Sequence, residues 1–468
     1  MFTGRYIPKQ RAILIPIFLA AVLSGCRSTS NIALQGTPTA VLEAGNTQNT
    51  IDLTPLPLAS PGVEPTLYPA ANNPEPTKAL SPAGADFFSK AYPPGEIEYV
   101  IPLTVRHAGG DRAALFFEIS EPSQGLLVFS SASAEENTQD QVPLDPSQTR
   151  HMIDLEGLAP GAEYKAMLLL GTDQGNLRQP LFNGEIWGPV NFRMPGEIPL
   201  RVGVLGDASF GDEATTQLVQ LMTGMDLDFV VVTGDVVYET DSSDLFSSYL
   251  NKFFKPFAPL LHQGPVYTVM GNHDYDASVQ YEGAPFYDYA FPPFEDPTFD
   301  YPPGRRGNQF YAHAVGDIQF LMLDSQAIFG AGGRAEQDAW MKERLADPRF
   351  RITIPVFHVS PYSSSIVHPD DGTPVRQSWN YLFESANVPL VLSGHFHHYE
   401  RLSANEITYI VTGGGSSTLY AQGARLPESF MYVPRTHFVL LEIYPERIDL
   451  KAISKEGDVF DQATILLN

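Results

Sequence analysis

The sequence has a single cysteine, Cys26, among 468 residues, so neither an intramolecular disulfide nor a thiolate metal cage can form. Basic residues are scarce: 29 Lys+Arg stand against 54 Asp+Glu, a formal net charge of −25. Residues 1–25 hold three of those cations, Arg5, Lys9 and Arg11, and no acid, so without them the balance deepens to about −28. Such a surface excludes recognition of duplex nucleic acid or anionic lipid by a basic patch. No apolar run reaches the roughly 18 residues of a membrane-spanning helix, and no internal repeat is present. An apolar share of 43% nevertheless excludes a wholly disordered chain. Length alone predicts roughly two or three domains.

The N-terminus is basic through Arg11, followed by twelve apolar residues, Ala12 to Leu23, with Pro16 among them. This is the layout of a secretory signal peptide over 1–25. Leu23-Ser24-Gly25-Cys26 resembles a bacterial lipobox, and the only cysteine falls at the position that would take the lipid. Acylation at Cys26 would hold the protein at a membrane without spanning it, at the bacterial cell surface or a periplasmic membrane face. From Arg27 to Pro82 there are nine prolines in 56 residues and no strand or helix period. That composition cannot offset chain entropy by burial, so residues 26–92 read as a disordered Pro/Thr-rich stalk.

Two folded parts follow. Over 93–196, short alternating runs (Tyr99–Val105, Ala114–Ile119, Gly125–Phe129, Ala162–Leu170, Val190–Phe192) are separated by turn clusters, which predicts an all-β sandwich. Over 197–468, apolar strands alternate with helical stretches, the pattern of an α/β core. Strands are expected at Leu200–Leu205, Phe229–Thr233, Val266–Met270, Ile318–Leu323, Ile352–Phe357, Leu390–Leu392, Thr408–Val411 and Phe438–Ile443. Helices are expected at Glu213–Thr223, Ser243–Phe254, Glu336–Leu345 and Gln377–Ser385.

Five polar clusters stand directly after those strands: Gly206-Asp207, Gly234-Asp235-Val236-Val237-Tyr238, Gly271-Asn272-His273-Asp274, Phe357-His358 and Gly394-His395-Phe396-His397. Any one alone reads as a turn, a cap or a core histidine. Five in order at strand exits, where α/β folds gather functional groups, do not. Two carboxylates, one amide, three imidazoles and one phenol form a hard-to-borderline donor set for two metal ions. His395 and His397, two apart on an extended segment, must serve different ions or lie on a kinked turn.

This ordered set resembles the calcineurin-like metallophosphoesterases and, more narrowly, the purple acid phosphatases. The wider superfamily places a histidine two residues after the first aspartate, where this chain has Ser209. Purple acid phosphatases instead carry a tyrosine three residues after the second aspartate, where Tyr238 stands. Gly394 to Arg401 is similar to their G-H-x-H-x-Y-E-R run, and further likeness lies in Phe320–Ser325 and Gly413–Gly415. Ahead of it, Leu158-Ala159-Pro160-Gly161-Ala162-Glu163-Tyr164 resembles the L-x-P-G-x-x-Y signature of fibronectin type III-like modules, whose tyrosine hydroxyl bonds back to the chain. The fold implied is an α/β metallophosphoesterase sandwich, two mixed sheets flanked by helices, preceded by an all-β fibronectin III-like sandwich. The aromatic-rich stretch Tyr281–Tyr311 has no counterpart in the resemblance and is expected to rim the site.

By that resemblance Asp207, Tyr238 and His397 would hold a first ion and Asp235 would bridge to a second, completed by Asn272, His358 and His395. The first would be ferric iron bound by the tyrosine phenolate, the second zinc, manganese or ferrous iron. A metal-held hydroxide would attack a phosphomonoester, with His273 and His368 as the candidate proton donors or phosphate-orienting groups; His398 reads as structural. The expected substrate is a phosphorylated small molecule. A phosphodiesterase or nucleotidase with the same centre, and a non-enzymatic surface adhesion lipoprotein, are the alternative readings.

Overall fold

A computed structural model describes residues 87–131, 139–173, 175–196, 198–208, 210–238, 245–275, 284–292, 299–300 and 309–467, all within one packed unit, Asn72–Asn468. The signal segment, Cys26, the stalk up to residue 86 and Ser209 lie outside the described residues. No helix among the described residues is long and apolar enough to cross a membrane.

Residues 94–193 form nine strands in two sheets. One has five strands, with the long Pro94–Gly109 strand at its centre; the other has four, around Gly125–Ser131 and Glu163–Leu170. Ile101, Leu103, Leu115 and Phe117 from the first share an apolar core with Leu127 and Leu168 from the second. Alternation of apolar and polar residues sends one face of each strand inward. The stalk expected through residue 92 stops short of that: Phe87 and Tyr92 are buried with Val128, Met167 and Leu169. Two aromatic rings offer enough apolar area to dock a Pro-rich segment. Tyr164 accepts a hydrogen bond from the Ala159 backbone N–H at 2.9 Å, closing the turn before its own strand.

The remainder is two mixed sheets face to face. Six strands make the first, with Leu200–Leu205 parallel to Phe229–Val232, which is parallel to Val266–Thr268. Eight make the second, in which Ile318–Met322, Ile352–Val359, Leu390–Gly394 and Ile407–Thr412 run parallel. Val202, Val204, Val231, Phe320, Ile354, Val356 and Leu392 fill the space between the sheets. Helices Arg334–Leu345 and Gly372–Ser385 cover the second sheet with Trp340, Met341, Trp379 and Phe383. Glu213–Thr223 covers the first, started by Asp212, whose carboxylate accepts from Thr215 N at 3.0 Å.

Departures from expectation have local causes. Of the helix expected over Ser243–Phe254, residues 243 and 244 lie outside the described residues; from Leu245 it runs on through a wide turn at Leu250–Phe254 to Leu261, with Pro256 and Pro259, which cannot donate a backbone N–H, beyond that turn. Strands Tyr399–Ala404, Ser429–Val433, Arg447–Ser454 and Val459–Leu466 were not expected. All four lie at or next to sheet edges, and Arg447–Ser454 alternates apolar with polar residues in place of the continuous apolar run of the buried strands.

Candidate metal centre

The carboxyl ends of the parallel strands from both sheets meet at one point. Asp207 follows Leu200–Leu205, Asp235 follows Phe229–Val232, Asn272 opens the turn after Val266–Thr268, His358 is the penultimate residue of its strand, and His395 follows Leu390–Gly394. The chain turns sharply there: Asp207, Asp235 and His395 take φ of +58°, +49° and +68°. Such values cost side-chain-bearing residues on the order of 1 kcal/mol or more each, which the surrounding bonds must offset. Gly234, at φ +98°, lies against the His358 ring, which a Cβ there would overlap.

Seven side chains gather in two sets. In one, the Tyr238 hydroxyl donates to Asp207 Oδ1 at 2.8 Å and lies 3.0 Å from His397 Nε2, itself 3.3 Å from Asp207 Oδ1. In the other, Asn272 Oδ1 lies 3.2 Å from both His358 Nε2 and His395 Nδ1. Asp235 stands between them, its Oδ1 3.3 Å from His358 Nε2 and its carboxylate also facing the Tyr238 hydroxyl. His395 and His397 fall in different sets because the chain kinks at His395, where Phe396 N donates back to Gly394 O and His398 N to Phe396 O.

The rings are held from behind. His358 Nδ1–H donates to the Thr233 carbonyl and His397 Nδ1–H to the Thr418 carbonyl, both at 3.0 Å. A carbonyl oxygen only accepts, so each bond leaves Nε2 directed at the centre. Asp274 ties two loops together: its buried carboxylate accepts from Gly271 N at 2.8 Å and from Val236 N and Val237 N at 3.1 Å. Burial and the charge of Asp235 raise its carboxyl above the usual range.

The electrostatics suit cations. Burial would raise the Asp235 carboxyl, yet the neighbouring His358 charge outweighs it and holds the group well below the usual range. Burial opposes charge on His358 too, but Asp235 and Asp207 override it and push the imidazole up to about 10. Burial, then the charges of Asp207 and Asp235, push the Tyr238 phenol well above its ordinary value. Ligand atoms of Asp207, Asp235 and His358 lie within 4.8 Å of one another, and among the described residues neither carboxylate pairs with Lys or Arg. Two buried carboxylates compensated by imidazoles, with a phenol and an amide oxygen aimed at the same point, fit hard or borderline metal ions.

Residues 200–399 match the calcineurin-like phosphoesterase family. That stretch takes in all five polar clusters at the strand exits. Its similarity to probable purple acid phosphatase 20 of Arabidopsis thaliana is 27% identity over 217 residues, 45% of this chain and 48% of that protein. To purple acid phosphatase 23 of the same plant it is 24% over 306 residues, 60% of each chain. The chain thus spans about half to three-fifths of these curated relatives. Among solved structures, the purple acid phosphatase PPD1 from yellow lupin (Lupinus luteus) seeds shares the fold, with a TM-score of 0.62 at 18% identity over 78% of this chain and 74% of that one.

Asp235, Asn272, His395 and His397, four of the seven donors, line an open cleft of about 280 Å3. His273 and His368 also line it and are exposed, whereas Asp235, His395 and His397 are buried and Asn272 half-buried. The His273 backbone N–H donates to Asp235 Oδ1 at 2.9 Å while its ring lies 4.5 Å from that of Tyr238. His398 is fully buried, 3.2 Å from Glu400 and stacked on Tyr432. Sequence reasoning missed Asp371 and Tyr420. Tyr420 stacks on the His397 ring at 4.2 Å, and nothing local to residue 420 signals that contact. Of the aromatic stretch expected to rim the site, residues 281–283, 293–298 and 301–308 lie outside the described residues; within the rest, Tyr287 is buried with its hydroxyl on Thr268, and Tyr289 covers Arg150 and bonds Glu118.

Proposed function

We propose that the domain hydrolyses phosphomonoesters at a dinuclear metal centre of the purple acid phosphatase type. The observation that carries this reading is the Asp207–Tyr238–His397 set joined through Asp235 to Asn272, His358 and His395. Asp207, Tyr238 and His397 would hold the first ion, ferric iron, since a trivalent cation is what can ionise a phenol so strongly held in its protonated form. Asn272, His358 and His395 would hold the second, zinc, manganese or ferrous iron, with Asp235 shared. When bound, such a pair supplies Lewis acidity at phosphorus and an acidified water.

The protein's own part is positioning and proton transfer. His273 and His368 both line the cleft, with the His273 ring 4.5 Å from that of Tyr238 and the His368 ring 5.1 Å from that of His395, so each donor set has an exposed imidazole beside it. As water oxygen bonds to phosphorus and the ester P–O bond breaks, one of the two gives the departing alkoxide its proton and the other orients the phosphate. Free alcohol and inorganic phosphate result.

The same reading places the enzyme outside the cytoplasm, lipid-anchored through Cys26, with the β-sandwich acting as a fibronectin III-like spacer. The Ala159–Tyr164 bond supports that spacer assignment. The deciding assay sets a phosphomonoester against a phosphodiester with protein reconstituted in iron, zinc or manganese. Monoester turnover dependent on two metals per chain supports the proposal; preference for the diester would move it to the phosphodiesterase reading. A protein that binds no metal would overturn both.

A further inference from the structure

Asp371 begins the helix Gly372–Ser385, at the position where an aspartate side chain normally accepts from a backbone N–H of the first turn. Here it makes no such bond. Its Oδ2 instead lies 3.0 Å from His395 Nε2 and 3.5 Å from His368 Nδ1. The turn that brings it there is constrained at both ends: His368 takes φ +56° and receives Asp371 N–H on its carbonyl at 3.2 Å, while a Cβ at Gly372 would press on the Ser360 and Pro361 carbonyl oxygens. A helix start wedged against the strand exit that carries His358, with its cap bond forgone, marks a carboxylate placed for another task.

That task follows from comparing the three histidines of the centre. His358 and His397 each have their outer nitrogen tied to a backbone carbonyl, leaving Nε2 aimed inward. His395 is turned the other way: Nδ1 faces Asn272 Oδ1 at 3.2 Å, and among the described residues no carbonyl holds Nε2. The Asp371 carboxylate takes the carbonyl's place. A carboxylate accepts, so Nε2 keeps the proton and the Nδ1 lone pair is directed at Asn272.

We propose that Asp371 is a positioning residue that fixes the His395 tautomer and ring orientation for the second metal ion, and that through its shared contact it holds His368 at the cleft wall. This rests on the dinuclear reading above, in which His395 belongs to the second site. Unlike the two carbonyls, Asp371 is a side chain, 41% exposed, so it can be replaced without touching the core.

The test uses the purified full chain as wild type, Asp371→Ala, Asp371→Asn and His368→Ala. Zinc and manganese titrations measure the affinity of each site, and 15N spectra of the metal-free proteins report which His395 nitrogen carries the proton. Asp371→Ala should weaken the second site about 10- to 100-fold with the first retained, the usual consequence of removing an outer partner of a metal-bound histidine. Its His395 should also lose the pure Nε2–H tautomer. Asp371→Asn, whose amide oxygen still accepts, should recover most of both properties. His368→Ala should leave second-site affinity unchanged. Wild-type affinity and tautomer in Asp371→Ala would overturn the proposal, as would an equal loss in His368→Ala, which would assign the effect to the turn. If the wild type binds no metal, the dinuclear reading fails instead, and the tautomer spectra still decide whether Asp371 sets His395.

Discussion

The Tyr238 hydroxyl donates to the Asp207 carboxylate at 2.8 Å across 31 residues of sequence, because the two residues follow neighbouring parallel strands. Without a metal that bond keeps the phenol protonated, and burial with two nearby carboxylates strengthens the preference. Replacing Tyr238 by Phe retains the ring stacked on Phe210 at 3.8 Å and removes only the oxygen. The Tyr238→Phe protein should fold, lose iron from the first site and lose any visible charge-transfer absorption. Absorption spectra and iron assays on both proteins check this. A colourless, iron-free yet fully active wild type would sink the purple-type assignment and leave the broader metallophosphoesterase reading standing.

Asp235 contacts groups of both donor sets, so its loss should be felt in both. Asp235→Asn should lower monoester hydrolysis by on the order of a hundredfold or more, since a carboxylate in contact with both donor sets should cost at least what an outer partner does. Two tightly held metals per chain with retained turnover would show that the bridge is misassigned.

Gly234→Ala tests the backbone beneath the site. The residue sits at φ +98°, and an added Cβ would overlap the His358 ring. Expected are a stability loss of about 1–3 kcal/mol and displacement of His358, read together by chemical unfolding and metal titration. Wild-type behaviour in both would mean the turn relaxes more freely than its packing implies.

His437 and His262 are held neutral by burial, each brought down to about 4. His437 lies between the Thr412 hydroxyl, 3.1 Å away, and the Arg435 carbonyl, 2.7 Å away. An unfolded histidine takes its proton near pH 6.5, so between about pH 6.5 and 4 the unfolded state binds more protons than the folded one. Stability is therefore complete above about pH 6.5 and falls as pH drops toward 4, by up to about 3 kcal/mol for His437. Unfolding midpoints of wild type and His437→Gln across that range should converge toward acid pH. Parallel curves would refute the assignment.

Cys26→Ser should move the protein from the membrane fraction to the soluble one, since the acylated residue is the expected anchor. Persistence in the membrane fraction would remove the lipoprotein reading.

Much of the centre is legible in sequence. Apolar runs ending at glycine mark buried parallel strands, and the polar residue after each must lie at a strand exit; Asp207, Asp235, Asn272, His358 and His395 all do. These signals are short-range, written in neighbouring residues. What tertiary structure alone decided is long-range. The His395 N–H meets Asp207 Oδ2 at 2.9 Å across 188 residues, because two sheets close on one another. A positive φ at His395 assigns it and His397 to different donor sets, a choice their spacing left open. Asp371 lies six residues ahead of the helix expected from sequence, Gln377–Ser385, and carries no signal there; the observed helix starts at Gly372, packed against the His358 strand exit, and the Asp371 carboxylate meets His395. Local pattern determines which residues reach the end of a strand, while the packing of the sheets determines which of them touch, since contact energies between distant residues exist only once the chain between them has closed.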